Sequence, residues 1–93
     1  MRTTQDKTLC PVCGYDLGFP AWEGGSSSDE ICPSCGIQFG YDDAAGGSQE
    51  ARRQVWHTWR DSWIKKGMEW FSKGRAKPIG WDPTIQLKQL DAQ

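Results

Sequence analysis

Residues 10–14 read Cys-Pro-Val-Cys-Gly and residues 32–36 read Cys-Pro-Ser-Cys-Gly, so the chain repeats one five-residue motif at an offset of 22 positions. No other feature restricts the fold as much. Two cysteines separated by two residues turn both sulfurs toward one point, and the turn between them aims backbone N–H groups at the first thiolate. Proline fixes φ where the turn is entered, and Gly14 and Gly36 can take the positive φ that closes it. Cysteines that merely fill a core have no reason to repeat with Pro and Gly in this way.

The other common use of four close cysteines is a pair of disulfides. No run of 18 or more apolar residues occurs, and the polar start, Met1 to Thr8, lacks the apolar centre of a secretory signal. The expected location is therefore cytoplasmic, where thiol buffers keep ordinary disulfides open. On that ground Cys10, Cys13, Cys32 and Cys35 are expected to ligate one metal ion. The 18 residues between the two pairs match the spacing of a four-cysteine zinc ribbon. Four thiolates at about 2.3 Å satisfy Zn2+ as a closed tetrahedron and leave no position for a reactive water. The same ligands hold iron in rubredoxin-like electron carriers, which makes Fe the alternative ion.

With 93 residues the chain is expected to form a single domain, 1–93, whose core alone is marginal. The metal and six tryptophans are the candidate staples. The expected fold class is α+β: a small zinc ribbon of short β-hairpins over 9–43, a long amphipathic helix over 48–67, then a basic loop and a short helix over 68–93. Within the ribbon, the alternations Tyr15-Asp16-Leu17 and Ile37-Gln38-Phe39 predict short strands, and Glu23 to Ser28 predicts a flexible, exposed loop tip. Asp29-Glu30 and Asp42-Asp43 are expected to be solvated loop acids.

Ser48 is the expected N-cap of the long helix and Gly67 its stop. At about 100° per residue, Ala51, Val55, Trp56, Trp59 and Trp63 fall on one arc, the expected buried face, which Arg52 and Lys66 share. Arg53, His57, Arg60 and Ile64 lie opposite, as a basic stripe expected to face water or a partner. Trp81 is expected to tuck inward, and Asp82-Pro83 predicts a cap and first turn for the last helix, through Leu87 and Leu90.

The overall charge of −1 gives no global drive toward nucleic acid or anionic membrane. Its distribution is uneven: residues 1–48 carry −5 and residues 49–93 carry +4, so the halves either attract each other or present opposed faces.

The stretch Glu30 to Asp43, following Cys10 to Tyr15, resembles small bacterial cysteine-rich proteins of the CPCC type, and Trp63 to Ser72 with Trp81-Asp82-Pro83 and Gln86-Leu87 looks like the tail of related proteins. Members of that type carry a further cysteine inside the first motif, where this chain has Val12. The resemblance implies a zinc-ribbon-like fold and, for some members, a role as immunity protein beside a bacterial toxin. The expected function is thus a non-enzymatic structural-zinc protein acting as a protein–protein interaction module, with a toxin as one candidate partner. A rubredoxin-like electron carrier and a zinc-ribbon nucleic-acid binder are the alternatives. No paired carboxylates and no nucleophile with an adjacent base point to an enzyme.

Overall fold

The computed structural model describes residues 8–23 and 25–91. These described residues form a small α+β fold with an antiparallel two-stranded hairpin, β1 (Trp22–Glu23) and β2 (Ser26–Ser27), and two helices, α1 (Gln49–Lys65) and α2 (Pro83–Asp91). A 3-10 turn over Ala45–Gly47 leads into α1.

The sequence repeat is also a structural repeat. In both copies the glycine N–H returns to the carbonyl of the first cysteine, at 2.9 Å for Gly14 to Cys10 and 2.8 Å for Gly36 to Cys32. In both copies, too, the first cysteine N–H donates to the carbonyl five residues on, Tyr15 or Ile37. Gly14 and Gly36 have the same φ, +84°. The expected strands after the turns are each reduced to a single antiparallel bridge, Leu9 to Asp16 and Ile31 to Gln38. Gly18 and Gly40, at positive φ, bend the chain away before a ladder can extend.

Regular strands occur instead where an exposed loop tip was expected. Trp22 pairs with Ser27 and Glu23 with Ser26, and the Ser28 N–H closes on the Ala21 carbonyl at 2.9 Å. Gly25 at φ +88° permits the tight reversal, and the hairpin rests against Gly40, where a Cβ would overlap the Ser27 hydroxyl. Gly24 lies outside the described residues.

Helix α1 matches the expected span closely. The Ser48 hydroxyl accepts from the Ala51 N–H at 3.2 Å, and Gly67, at φ +97°, follows the last turn. Its arc packs on the core as the periodicity requires, with Trp63 buried and Val55, Trp56 and Trp59 half-buried. Arg52, a charged residue on that arc, is buried as well, whereas Lys66 is exposed. Opposite, Arg53 and His57 are exposed. Helix α2 starts as expected: Asp82 Oδ1 accepts from the N–H groups of Thr84 and Ile85, and Pro83 occupies the first helical position.

The core is Val12, Ile37 and Phe39, all fully buried with Cys10, Cys13 and Cys32, closed by Leu9, Leu17, Ala21, Cys35 and Trp63. Every one of the six tryptophans also donates its indole N–H: Trp22 and Trp56 to Asp43, Trp59 to the Cys35 carbonyl, Trp63 to Glu69, Trp70 to Arg75, and Trp81 to Gln86. Each indole thus packs its apolar body while its one polar atom is satisfied, as burial demands.

Gly14 lies directly beneath the backbone of α2, and a Cβ there would overlap the Gln86 carbonyl oxygen. Gly18 has nearly the same φ, +82°, but open space around it. Gly14→Ala is therefore expected to lower stability by about 2–4 kcal/mol, since overpacking adds to a conformational cost of about 1 kcal/mol. Gly18→Ala should show the conformational cost alone. Urea midpoints of the two variants check this; equal losses would mean that α2 does not press on the first cysteine turn.

Candidate metal centre

The two cysteine turns face each other, and all four sulfurs lie within 4.8 Å of one another in a buried cluster. The Sγ atoms of Cys10 and Cys35 are 3.9 Å apart, and those of Cys13 and Cys32 are 3.7 Å apart. Each close pair takes one cysteine from each turn. Four sulfurs placed tetrahedrally at about 2.3 Å from a central ion sit roughly 3.8 Å from one another, so the spacing suits a four-thiolate metal site. Cys10, Cys13 and Cys32 are fully buried and Cys35 is 6 % exposed.

Burial pushes the Cys10 thiol well above its ordinary value, and the adjacent sulfurs of Cys13 and Cys32 add to the shift. Burial and the other three sulfurs raise Cys35 likewise. At Cys32 burial also opposes the thiolate, but hydrogen bonds from the other three cysteines and from the Cys35 backbone N–H outweigh it and hold this thiol below its ordinary value. Four sulfurs so close cannot all ionise without a cation among them.

The rest of the chain clasps the backbone of the two turns. Arg60 donates from Nε to the Val12 carbonyl and from Nη2 to the Pro11 carbonyl, both at 2.7 Å. This corrects its expected place on the solvent stripe: it sits at the edge of the buried arc, and its long side chain reaches back over the first turn. Trp59 Nε1 donates to the Cys35 carbonyl at 3.0 Å, and the Phe71 and Ser72 N–H groups donate to the Pro33 carbonyl. Gln86 joins both turns, its Nε2 donating to the Cys13 carbonyl at 3.1 Å and to the Ser34 hydroxyl at 3.0 Å while its Oε1 accepts from Trp81.

Asp43 is the second correction. Its carboxylate is fully buried rather than solvated, accepting from Trp22 Nε1 at 2.9 Å, Trp56 Nε1 at 2.8 Å and the Gly40 N–H at 2.6 Å. The Asp43 carbonyl accepts from Arg52 Nε at 3.1 Å, and the Arg52 guanidinium lies 3.6 Å over the Trp22 ring. That contact explains how an arginine is accommodated on the buried arc. Asp29 and Glu30, by contrast, are exposed as expected.

The acidic front and basic rear halves are thus held together by hydrogen bonds to carbonyls and to one buried carboxylate, and no ion pair joins them among the described residues. Sequence reasoning found the four cysteines but not Gln86, Asp43 or the inward turn of Arg60. Gln86 stands out in the sequence only as part of the tail resemblance, and nothing in its local sequence marks the contacts that it makes to both turns. Arg60 has a faint one, its position at the margin of the tryptophan arc.

These features define a small α+β protein with a buried four-cysteine site able to hold one metal ion. Comparison with protein-family models, curated proteins and solved structures finds no match to this chain. Among the described residues no helix is long and apolar enough to cross a membrane.

Proposed function

We propose that Cys10, Cys13, Cys32 and Cys35 hold a single structural Zn2+ and that the chain is a zinc-ribbon-like, non-enzymatic module for binding another protein. The observation that carries this is the closed sulfur cluster, with all four sulfurs within 4.8 Å of one another. Four thiolates complete the tetrahedral shell of zinc, so no position remains at which water or substrate is activated. Arg60, bonded to the first turn, places a positive charge beside a centre whose four thiolates exceed the charge of the ion. A module of this kind acts through its surface, and the resemblance to CPCC-type proteins makes a bacterial toxin one candidate target, with this chain as its immunity protein.

Native mass spectrometry of the protein isolated gently from its own cells tests both parts. One zinc per chain together with a stoichiometric protein companion is the expected result. Iron with the visible absorbance of a ferric thiolate centre, and no companion, would overturn it in favour of electron transfer.

A further inference from the structure

A groove of about 870 Å3 runs along α1 and the loop that follows it, with Val55, Trp59, Trp63 and Phe71 on its walls. Its volume falls in the range of formed binding sites, roughly 300–1,000 Å3. Phe71 is 56 % exposed yet firmly placed: its N–H donates to the Pro33 and Ser34 carbonyls at 3.1 Å, and its ring covers Gly36, where a Cβ would overlap it. Trp59, half-buried, is likewise pinned through its indole N–H, as is the buried Trp63 beside it. A large apolar side chain held rigid while facing solvent gives up little conformational freedom when it is covered.

Charge selects the occupant. Lys66 and Lys73 lie in the wall of the groove, and a second groove sharing Glu69, Trp70 and Lys73 continues past Arg75 and Lys77. These four cations are exposed and none is ion-paired among the described residues, Arg75 lying 6.0 Å over the Tyr15 ring; Asp42 and Glu69 also line the first groove, so the two grooves together carry four cations against two acids. An apolar trough that runs toward a net excess of cations, at Lys73, Arg75 and Lys77, suits a chain with bulky apolar residues beside carboxylates.

We infer that this groove docks an acidic amphipathic segment of a partner protein, its apolar residues against Trp59 and Phe71 and its carboxylates toward Lys66, Lys73, Arg75 and Lys77. The inference rests on the interaction-module reading and moves the contact surface away from Arg53 and His57 to the tryptophan side of α1.

The test is selection of a displayed library of random 16-residue peptides against the full metal-loaded chain. Enriched peptides are expected to pair Asp or Glu with Leu, Phe or Trp and to quench tryptophan fluorescence on binding. Their affinity should fall about tenfold or more in the Lys73→Glu/Arg75→Glu variant and in Phe71→Ser, and hold in Arg53→Glu. Because Phe71 also covers Gly36, the exposed Lys73 and Arg75 pair is the decisive variant, with metal content and urea midpoint confirming its fold. Peptides lacking acidic residues, or unaffected by Lys73→Glu/Arg75→Glu, overturn the groove. Peptides that depend on Arg53 overturn it but leave the interaction module standing, whereas a selection that enriches nothing on any face counts against both. Salt-sensitive binding of a labelled single-stranded oligonucleotide, lost in the same double variant, would assign the groove to nucleic acid instead.

Discussion

Stripping the metal with a strong chelator, or replacing Cys13 with serine, is expected to abolish cooperative unfolding of the whole chain, helices included. The magnitude follows from comparing two energies: structural zinc contributes roughly 10–16 kcal/mol in small zinc-finger peptides, while a domain's entire stability is about 5–15 kcal/mol. The tertiary contacts extend the loss beyond the cysteine turns. Helix α1 is tied to them through Trp59 and Arg60, α2 through Gln86, and the intervening loop through Phe71 and Ser72. Once the turns lose their shape, these donors lose their acceptors together. Circular dichroism at 222 nm during chelator titration reads the result, and helicity that survives metal removal would show that the tail folds independently. Acid should act in the same direction. The ion is held by thiolates, so protons compete with it for the four sulfurs, and metal loss with unfolding should set in on acidification without any chelator.

Asp43→Ala is expected to have the largest effect of any substitution outside the cysteines. It removes the acceptor for two indole N–H groups and one backbone N–H in a fully buried position. Each orphaned donor costs about 1–3 kcal/mol, and although such costs are not additive, a loss of about 3 kcal/mol or more is a large share of a small domain's stability. Asp43→Asn tests the cause. All three contacts are donated to this side chain, both indoles to Oδ2 and Gly40 to Oδ1, so an amide must turn its NH2 toward a donor on one side or the other. The asparagine variant should therefore lie between wild type and alanine. Urea unfolding followed by tryptophan emission measures both, and an alanine variant within about 0.5 kcal/mol of wild type, the level of an ordinary surface change, would mean that the carboxylate does not organise this corner.

The elements legible from sequence are those governed by local chemistry. The cysteine turns follow from Pro, Gly and the two-residue spacing; α1 follows from its serine cap, its tryptophan periodicity and Gly67; α2 follows from Asp82-Pro83. Each depends on residues a few positions apart, whose conformational preferences act whether or not the rest of the chain is folded. The strands expected at Asp16 and Gln38 are cut to single bridges by Gly18 and Gly40, and the hairpin at Trp22 forms where a loop is expected because a serine- and glycine-rich stretch makes either a loop or a strand, depending on what lies beside it.

The sequence by itself determined that four cysteines come in two like turns and that one face of α1 is apolar. Only the tertiary structure decided which carbonyls Arg60, Trp59 and Gln86 would reach, and that Asp43 would be buried. The physical reason is that a polar side chain carries no mark of its eventual partner: whether it faces water or a buried acceptor depends on which backbone groups packing has left without a donor. Around this cluster those groups are the carbonyls of the cysteine turns, and residues up to 73 positions away in the chain are what satisfy them.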